Sequence, residues 1–279
     1  MGTTLNAFGA KLSPVDLRDY KVASNTTVEY PESFELKNMP EVKNQFQVSS
    51  CVAHSSSTIL EYHDNKDSKG HTLSTNFIYG IQNKYCGRDG SGMYLRDACK
   101  IIKDLGTPEE SLCKGNNEVP EAYVIAEDAY ATEATMKNAS YFKIASYARC
   151  NDANAIKNAL MNYGPVLASV KWLNAFKVNR GSGILSGPIT GEGGYHAIVI
   201  YGWNETGWLC QNSWGKSFGN MGRFIYPYNY KIAEAWSILD SDIDIDNSNI
   251  IKPKTNKITT IMYKIINVII NAFKHFNKK

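Results

Sequence analysis

The sequence lacks the features that mark an ordinary secreted protein or a metalloprotein. Residues 1–20 contain no apolar run followed by a cleavage site, so no standard secretion signal is visible. Cysteine and histidine are scattered, without the paired short gaps typical of zinc ligands, so neither a metal site nor a cofactor is predicted. We expect a protein that is cytoplasmic or released without a standard signal.

Cysteine is also too sparse to suggest a disulfide framework. The chain has 6 cysteines, and setting Cys51 aside for the reasons below leaves an odd number. Cys210 falls in an apolar run that predicts a strand and Cys99 in a helical run, where free buried thiols are common. A bridge between Cys86 and Cys113 is conceivable, but the sequence does not fix it.

Several glycines between residues 181 and 194 lack the flanking elements of a phosphate-binding loop. No strand leads into this stretch and no helix follows it, which excludes nucleotide binding. The glycines are more simply interpreted as loops at strand ends, and no nucleic-acid partner is expected.

The most informative segment is Val42–His54, in which Gln45 stands six residues before Cys51. Cys51 opens an apolar-periodic run, Val52–Tyr62, that predicts a helix. A thiol at a helix start lies beside unpaired backbone N–H groups and the positive end of the helix dipole, which favour the thiolate. Alone, such a cysteine is more often a buried structural thiol.

Two downstream motifs supply further groups for nucleophilic catalysis. His196 stands at the start of an apolar run that predicts a strand, and Asn212–Gly215 reads NSWG. Alone, the first would be a core histidine and the second a turn. Cysteine, histidine and asparagine in this order are the parts of a cysteine-nucleophile acyl-transfer site, and their joint occurrence favours catalysis.

Together these motifs resemble those of papain- and cathepsin-like cysteine peptidases, from about Pro31 to Leu239. The spacing is close to, and slightly longer than, the roughly 130–150 residues by which histidine and asparagine follow the cysteine in this family. Composition alone suggests a bacterial or phage member. The resemblance implies an α+β, two-lobed fold with an N-terminal helical lobe, a C-terminal antiparallel β-barrel-like lobe and the active site in the cleft between them.

The resemblance also assigns a role to each catalytic residue. Cys51 would attack the peptide carbonyl, and His196 would take its proton and later return it to the leaving amine. Asn212 would accept a hydrogen bond from the imidazole, and Trp214 would shield that bond from water. Gln45 would donate its side-chain amide to the oxyanion, with the backbone N–H of Cys51 as second donor.

His54 is a competing candidate for the base. It lies three residues after Cys51, on the same face of the predicted helix. A base on the same helix cannot easily reach over the sulfur, so His196 is preferred.

Two residues depart from the family pattern. Val48 replaces a disulfide cysteine, and Val52 replaces the tryptophan that usually follows the nucleophile. Neither change removes a proton donor or acceptor, so activity is still expected.

Substrate-binding residues are implied by the resemblance as well. Gly92 precedes the predicted helix Leu95–Leu105 and would let a bound peptide pair with enzyme backbone as an extra strand. Ser169, Tyr195 and Ala197 would line the pocket for the second residue before the cut. An ordinary turn and a buried strand explain these positions about equally well.

Hydrophobic periodicity predicts helices mainly in the first half of the chain and strands in the second. Helices are predicted over Val52–Tyr62, Leu95–Leu105 and Ala153–Tyr163. Strands are predicted over Val166–Val170, Ala197–Tyr201, Trp208–Cys210 and Gly222–Tyr226.

Four regions are predicted along the chain. Residues 1–30 form an N-terminal extension, residues 31–239 the papain-like domain, residues 240–257 a linker and residues 258–279 a basic amphipathic helical tail. We hypothesise that the extension is a short pro-segment, of which part of Leu12–Val28 packs on the domain and crosses the cleft.

The C-terminal tail is strongly basic. Asn247–Lys279 contains seven lysines and neither aspartate nor glutamate. Its apolar residues recur at helical spacing, but asparagines interrupt them too often for the segment to span a bilayer. Contact with a membrane surface and docking on the domain or a partner subunit are both open.

The leading prediction is cysteine-type endopeptidase activity on peptide or protein substrates, through a thioester on Cys51. Two alternatives stay open: a cell-wall or isopeptide amidase that uses the same thiol, and a degenerate fold that only binds peptides. Val52 gives the binding alternative some weight, whereas the intact set of catalytic residues argues against it.

Overall fold

The computed structural model describes residues 8–66, 70–87, 91–113, 131–240 and 249–253. The predicted basic tail lies outside the described residues, and so does part of the predicted linker. No helix within the described ranges is long and apolar enough to cross a membrane.

The first lobe is built around helix α1 (Cys51–Lys66), whose predicted start is confirmed. Helices α2 (Thr75–Cys86) and α3 (Leu95–Asp104) pack against it. The side chain of Ser74 caps α2 by accepting the Phe77 N–H, which satisfies one of the unpaired donors of the first turn. Hydrophobic periodicity in the sequence did not reveal α2. The first eight residues of this helix are all buried, so it has no exposed polar face that would produce a helical pattern.

Two further helices and thirteen strands complete the described elements. The helices are α4 (Glu133–Ala139) and α5 (Ala153–Asn162). The strands are β1 (Ala10–Lys11), β2 (Lys21–Val22), β3 (Phe34–Glu35), β4 (Met93–Tyr94), β5 (Ser146–Arg149), β6 (Val166–Leu173), β7 (Lys177–Val178), β8 (Leu185–Ser186), β9 (Gly193–Trp203), β10 (Gly207–Gln211), β11 (Arg223–Pro227), β12 (Ile232–Leu239) and β13 (Ile250–Ile251).

The second lobe is a nine-stranded sheet in the order β11-β10-β9-β6-β12-β5-β2-β13, with β3 also paired to β9. Its pairings are antiparallel except between β2 and β5. In the described residues the end strands β11 and β13 do not pair with each other, so the sheet is open and no closed barrel forms. The predicted α+β fold with a helical and a β lobe is confirmed.

Strands β6 and β9 bring the two lobes together. Their register pairs Val170 with His196 and Ser169 with Ala197. Because side chains alternate along a strand, Ser169 and Ala197 share one face and His196 points to the other. Ala197 belongs to the same apolar cluster as Cys51, so α1 packs on this part of β9.

The N-terminal and C-terminal segments both join the main sheet. Strand β2 lies between β5 and β13, so residues on either side of the papain-like domain contribute strands. Part of the predicted linker, residues 249–253, therefore contains a strand. Ile250 is buried there, and two apolar residues in a polar stretch were too short a run to predict it.

None of the 6 cysteines, which all lie within the described residues, is in a disulfide, so the conceivable bridge between Cys86 and Cys113 is not formed. Val48 and Val52, at the two positions that depart from the family pattern, are both buried in the apolar cluster around Cys51. They therefore fill core space where the family has a cysteine and a tryptophan.

Candidate active site

Cys51 is the first residue of α1 and is completely buried. Its Sγ accepts a hydrogen bond from the backbone N–H of Ala197 at 3.4 Å. The backbone N–H groups of Gly9 and Val52 lie near the sulfur and act to lower the pKa of the thiol. The thiol at the start of the helix thus lies against the segment of β9 that carries His196.

His196 is held through one ring nitrogen only. Its Nε2 lies 2.8 Å from Oδ1 of Asn212, and that oxygen also accepts the Ser213 N–H at 2.7 Å. An amide oxygen can only accept, so Nε2 carries the proton and Nδ1 keeps its lone pair. Nδ1 is buried and has no hydrogen-bond partner among the described residues. Nδ1 is therefore available to accept the proton of a thiol.

Two tryptophans enclose the imidazole. Trp214 stacks on His196 with ring centroids 4.4 Å apart and an angle of 25° between planes. Trp172 meets the His196 ring edge-on at 5.6 Å and the Trp214 ring at 4.9 Å. The indoles exclude water from the bond between His196 and Asn212. Sequence reasoning missed Trp172. The one feature that could have pointed to it is its place on β6, two residues after Val170, the strand partner of His196.

Gln45 lies on the turn that leads into Cys51 and is fully buried. Its Nε2 donates to the Val48 carbonyl at 2.8 Å, and its Oε1 accepts the Ser213 hydroxyl at 2.6 Å. The side chain is thus fixed at both ends between the Cys51 turn and the segment that carries Asn212. Fixed donors of this kind suit the stabilisation of a developing oxyanion.

An N-terminal strap, residues 8–19, covers these groups. Strand β1 pairs in parallel with β4, and the Gly9 carbonyl accepts the Met93 N–H at 2.7 Å. The Phe8 ring lies 6.3 Å from the His196 ring and 6.4 Å from the Trp214 ring. Residues 8–11 therefore fill the cleft over the sulfur, slightly upstream of the segment predicted to cross it.

Burial under the strap decides the charge state of the pair. It raises the pKa of Cys51 to about 11, and it lowers the pKa of His196 to about 4. Each shift disfavours the charged form, so thiol and imidazole are both neutral at neutral pH. The thiolate expected from the helix start is not favoured in this covered state, because desolvation outweighs the hydrogen bonds from backbone N–H groups.

A family model of papain family cysteine proteases matches residues 30–238. The chain belongs to this family.

Two curated relatives show the extent of the likeness. The cathepsin B-like cysteine proteinase 3 of Caenorhabditis elegans is 26% identical over 213 residues, which cover 66% of this chain and 56% of that protein. Cathepsin K of Mus musculus is 26% identical over 204 residues, which cover 67% of this chain and 56% of that protein. The chain thus spans little more than half the length of these relatives.

Solved structures show the same fold. Xylellain, a cysteine protease from Xylella fastidiosa, superposes with a TM-score of 0.73 at 23% identity, covering 84% of this chain and 96% of that one. Digestive procathepsin L 3 of Tenebrio molitor larval midgut gives a TM-score of 0.60 at 17% identity, covering 84% and 76%.

His54, the competing base, is engaged within its own helix. Its Nδ1 lies 3.0 Å from the Ser50 carbonyl and 3.2 Å from the Ser50 hydroxyl. Burial lowers its pKa to about 4. A ring nitrogen that donates to a backbone carbonyl already carries its proton, so Nδ1 of His54 is not available as the acceptor, which disfavours His54 as the base in this papain-family site.

The residues implied for substrate binding lie around the strap. Gly92 has φ of 80°, and a Cβ there would stand 2.7 Å from the Gly9 carbonyl oxygen. Because Gly92 has no side chain, a second backbone segment can approach it closely. In this structure that segment leads into β1, which pairs with β4 from Met93 onward. Ser169 and Ala197 are buried on one face of the sheet, and Tyr195, on the same face, is exposed at its rim. In the described residues no cluster of His, Cys, Asp or Glu could hold a metal ion.

Proposed function

We propose that this chain is a cysteine endopeptidase that hydrolyses peptide bonds through a thioester on Cys51. The observation that carries the proposal is the bonding of His196: its Nε2 is on Asn212, its Nδ1 has no partner among the described residues, and the next residue on the strand, Ala197, donates its N–H to the Cys51 sulfur. This arrangement provides a nucleophile, a base and a group that orients the base.

The reaction follows from these roles. The thiol proton moves to Nδ1 of His196 while Sγ of Cys51 bonds to the peptide carbonyl carbon, and the carbonyl oxygen becomes an oxyanion. The Gln45 amide would stabilise that oxyanion. The C–N bond then breaks, His196 protonates the leaving amine, and water attacks the thioester by the same proton route, restoring the thiol and releasing an acid.

The N-terminal extension would act as an inhibitor of this reaction. The Gly9 carbonyl of the strap is bound by the Met93 N–H, and the Gly9 N–H lies near the sulfur. The strap therefore places a backbone N–H near the sulfur, where a substrate would offer an electrophilic carbon. The strap blocks the cleft without being cut, and it has to leave before a substrate can bind.

Peptide or protein substrates would then take the place of the strap. The β4 edge, which now bonds the Gly9 carbonyl, would pair with substrate backbone next to Gly92. The face of Ser169 and Ala197, with Tyr195 at its rim, would receive a substrate side chain.

Reaction of the thiol with a peptide-like epoxide tests the enzyme assignment. Full-length protein and a variant that lacks residues 1–19 are treated, and the labelled cysteine is identified by mass spectrometry. We expect faster labelling of Cys51 in the shortened protein, cleavage of a peptide library by it, and loss of both in Cys51→Ala. Cys86→Ala is the matched control, because Cys86 is the one cysteine that is not buried.

The outcomes separate the alternatives. Labelling of Cys51 without cleavage of any peptide would favour an amidase that acts on a non-standard amide. If Cys51 in the shortened protein reacts no faster than Cys86, the chain is a peptide-binding member of the family and the proposal is wrong.

Contact of residues 258–279 with a membrane surface is a separate proposal, supported by the basic composition of the tail. It predicts that the full chain co-sediments with anionic vesicles and that deletion of residues 255–279 abolishes this. Unchanged co-sedimentation after the deletion would contradict it.

A further inference from the structure

A buried ion pair lies behind the active site and takes no part in the reaction above. Nζ of Lys43 is 2.7 Å from Oε1 of Glu61, and the side chains are only 14% and 7% exposed. Glu61 lies in the middle of α1, and the same oxygen accepts the Leu73 N–H at 2.7 Å. The pair therefore fixes the segment that contains Lys43 to the helix that begins with Cys51.

The Lys43 segment also carries the proposed oxyanion donor. Gln45 follows Lys43 by two residues, and its backbone N–H donates to the Ser213 carbonyl at 2.8 Å. The Lys43 carbonyl accepts the Gly215 N–H at 3.0 Å. This segment is therefore bound on one side to the chain that follows Asn212 and on the other side to α1.

Stability alone is a weak reason for such a pair. Two charges taken out of water lose their hydration, and a well-packed apolar pair of similar size often stabilises a protein as much or more. An ammonium and a carboxylate do, however, fix distance and direction more tightly than apolar contacts. The pair is thus better suited to hold a segment in place than to add stability.

We propose that Glu61, through Lys43, positions Gln45 for oxyanion stabilisation. This inference rests on the proposed peptidase function. Glu61 and Lys43 are positioning residues, since neither side chain reaches the reacting atoms. Displacing a catalytic group by about 1 Å can lower a rate by roughly a hundredfold, so a loosened segment would slow acyl transfer markedly.

Two reactions of the same thiol separate positioning from general support. Peptide hydrolysis passes through an oxyanion and needs Gln45, whereas alkylation by iodoacetamide displaces iodide from carbon and forms no oxyanion. Both require the strap to leave, so the ratio of their rates in the full chain is independent of the strap.

The test variant is Lys43→Met/Glu61→Gln. It removes both charges together, and the glutamine oxygen can still accept the Leu73 N–H. We expect peptide hydrolysis to fall by roughly 10- to 100-fold, with alkylation of Cys51 within about twofold of the unaltered rate. In a Gln45→Ala background the same pair of changes should lower hydrolysis little further, because residues that act through one another are not additive.

The chain offers a matched control. Glu41 and Lys216 form an ion pair at 3.2 Å that joins the Lys43 segment to the chain that follows Asn212, at the surface, with side chains 88% and 52% exposed. Glu41→Gln/Lys216→Met should change neither reaction, because exposed pairs contribute little.

Two results would overturn the inference alone: equal losses in hydrolysis and alkylation, or no loss while Gln45→Ala slows hydrolysis. Failure of the protein lacking residues 1–19 to hydrolyse peptides at all, with its Cys51 no more reactive than Cys86, would instead overturn the proposed function and the inference with it.

Discussion

Val22 and Ile250 are direct partners on antiparallel strands, so segments from the two ends of the described chain meet at one edge of the main sheet. Both side chains are buried in the apolar cluster of the second lobe. The Ala23 N–H donates to the Asn249 carbonyl at 2.7 Å, and the Tyr20 carbonyl accepts the Arg149 N–H at 2.8 Å. The residues that follow the strap are therefore held between β5 and the C-terminal β13.

This pairing predicts that the C-terminal strand controls the strap. While β13 holds β2, the strap that precedes β2 stays at a high effective concentration over the cleft. If β13 is released, that concentration falls. Ile250→Asp places a charge where an apolar side chain is buried, at a cost of about 2 kcal/mol or more. We expect the rate at which an epoxide labels Cys51 in the full chain to rise roughly tenfold or more.

The neighbouring residue is the matched control for this prediction. Ile251 belongs to the same strand but is 51% exposed, so Ile251→Asp should leave the labelling rate nearly unchanged. Thermal unfolding distinguishes local release of β13 from loss of the fold. Equal labelling rates in the two variants would contradict the link between β13 and the strap.

A second prediction concerns the closest approach of the strap to the domain. A Cβ built on Gly9 would stand 1.9 Å from the Ser49 carbonyl oxygen, so no side chain fits there. We expect Gly9→Ala to dislodge residues 8–11 and to bring labelling of Cys51 close to that of the protein lacking residues 1–19. Val15→Ala, at a position 82% exposed, should behave like the unaltered chain. Slow labelling of Gly9→Ala would show that the strap is not the barrier.

The pKa shift of His196 predicts that acid weakens strap docking. Burial lowers the pKa of His196 from its ordinary value of 6.5 to about 4, and Phe8 of the strap contributes to that burial, so the undocked state binds the proton more tightly. The contribution of His196 to docking is thus complete above pH 6.5 and is lost as the pH falls towards 4. Asp19 acts in the opposite sense, because burial raises its pKa and docking favours its protonated form.

Hydrogen exchange of the β1 amides measures docking without relying on thiol reactivity. Exchange, corrected for its intrinsic pH dependence, should speed up below about pH 6. In His196→Ala this acceleration should be reduced. Protection that is unchanged, or stronger, at acidic pH would mean that Asp19 or another carboxyl group dominates the linkage.

The sequence predicted the elements that carry long periodic patterns. Helix α1 and strand β9 each carry one of the proposed catalytic residues, Cys51 and His196, at a position set by hydrophobic periodicity, and the motifs around these residues pointed to them. The strap, β2 and β13 were not predicted as strands, because two-residue strands have no period and depend on partners distant in the chain. The burial that keeps Cys51 and His196 neutral depends on the same contacts between distant parts of the chain. The sequence therefore indicated only that a cysteine at the start of a helix tends to form a thiolate.

The bond between His196 and Asn212 yields the last prediction. Asn212→Ala removes the acceptor that the described residues provide for Nε2–H, so the imidazole can rotate or change tautomer, and peptide hydrolysis should fall by roughly a hundredfold. Asn212→Asp keeps an oxygen in reach of Nε2 and adds a negative charge, which raises the pKa of His196. This variant should recover part of the rate, and the acidic limb of its pH–rate profile should shift to higher pH. If alanine and aspartate variants were equally slow with unshifted profiles, Asn212 would act through packing and not by orienting the base.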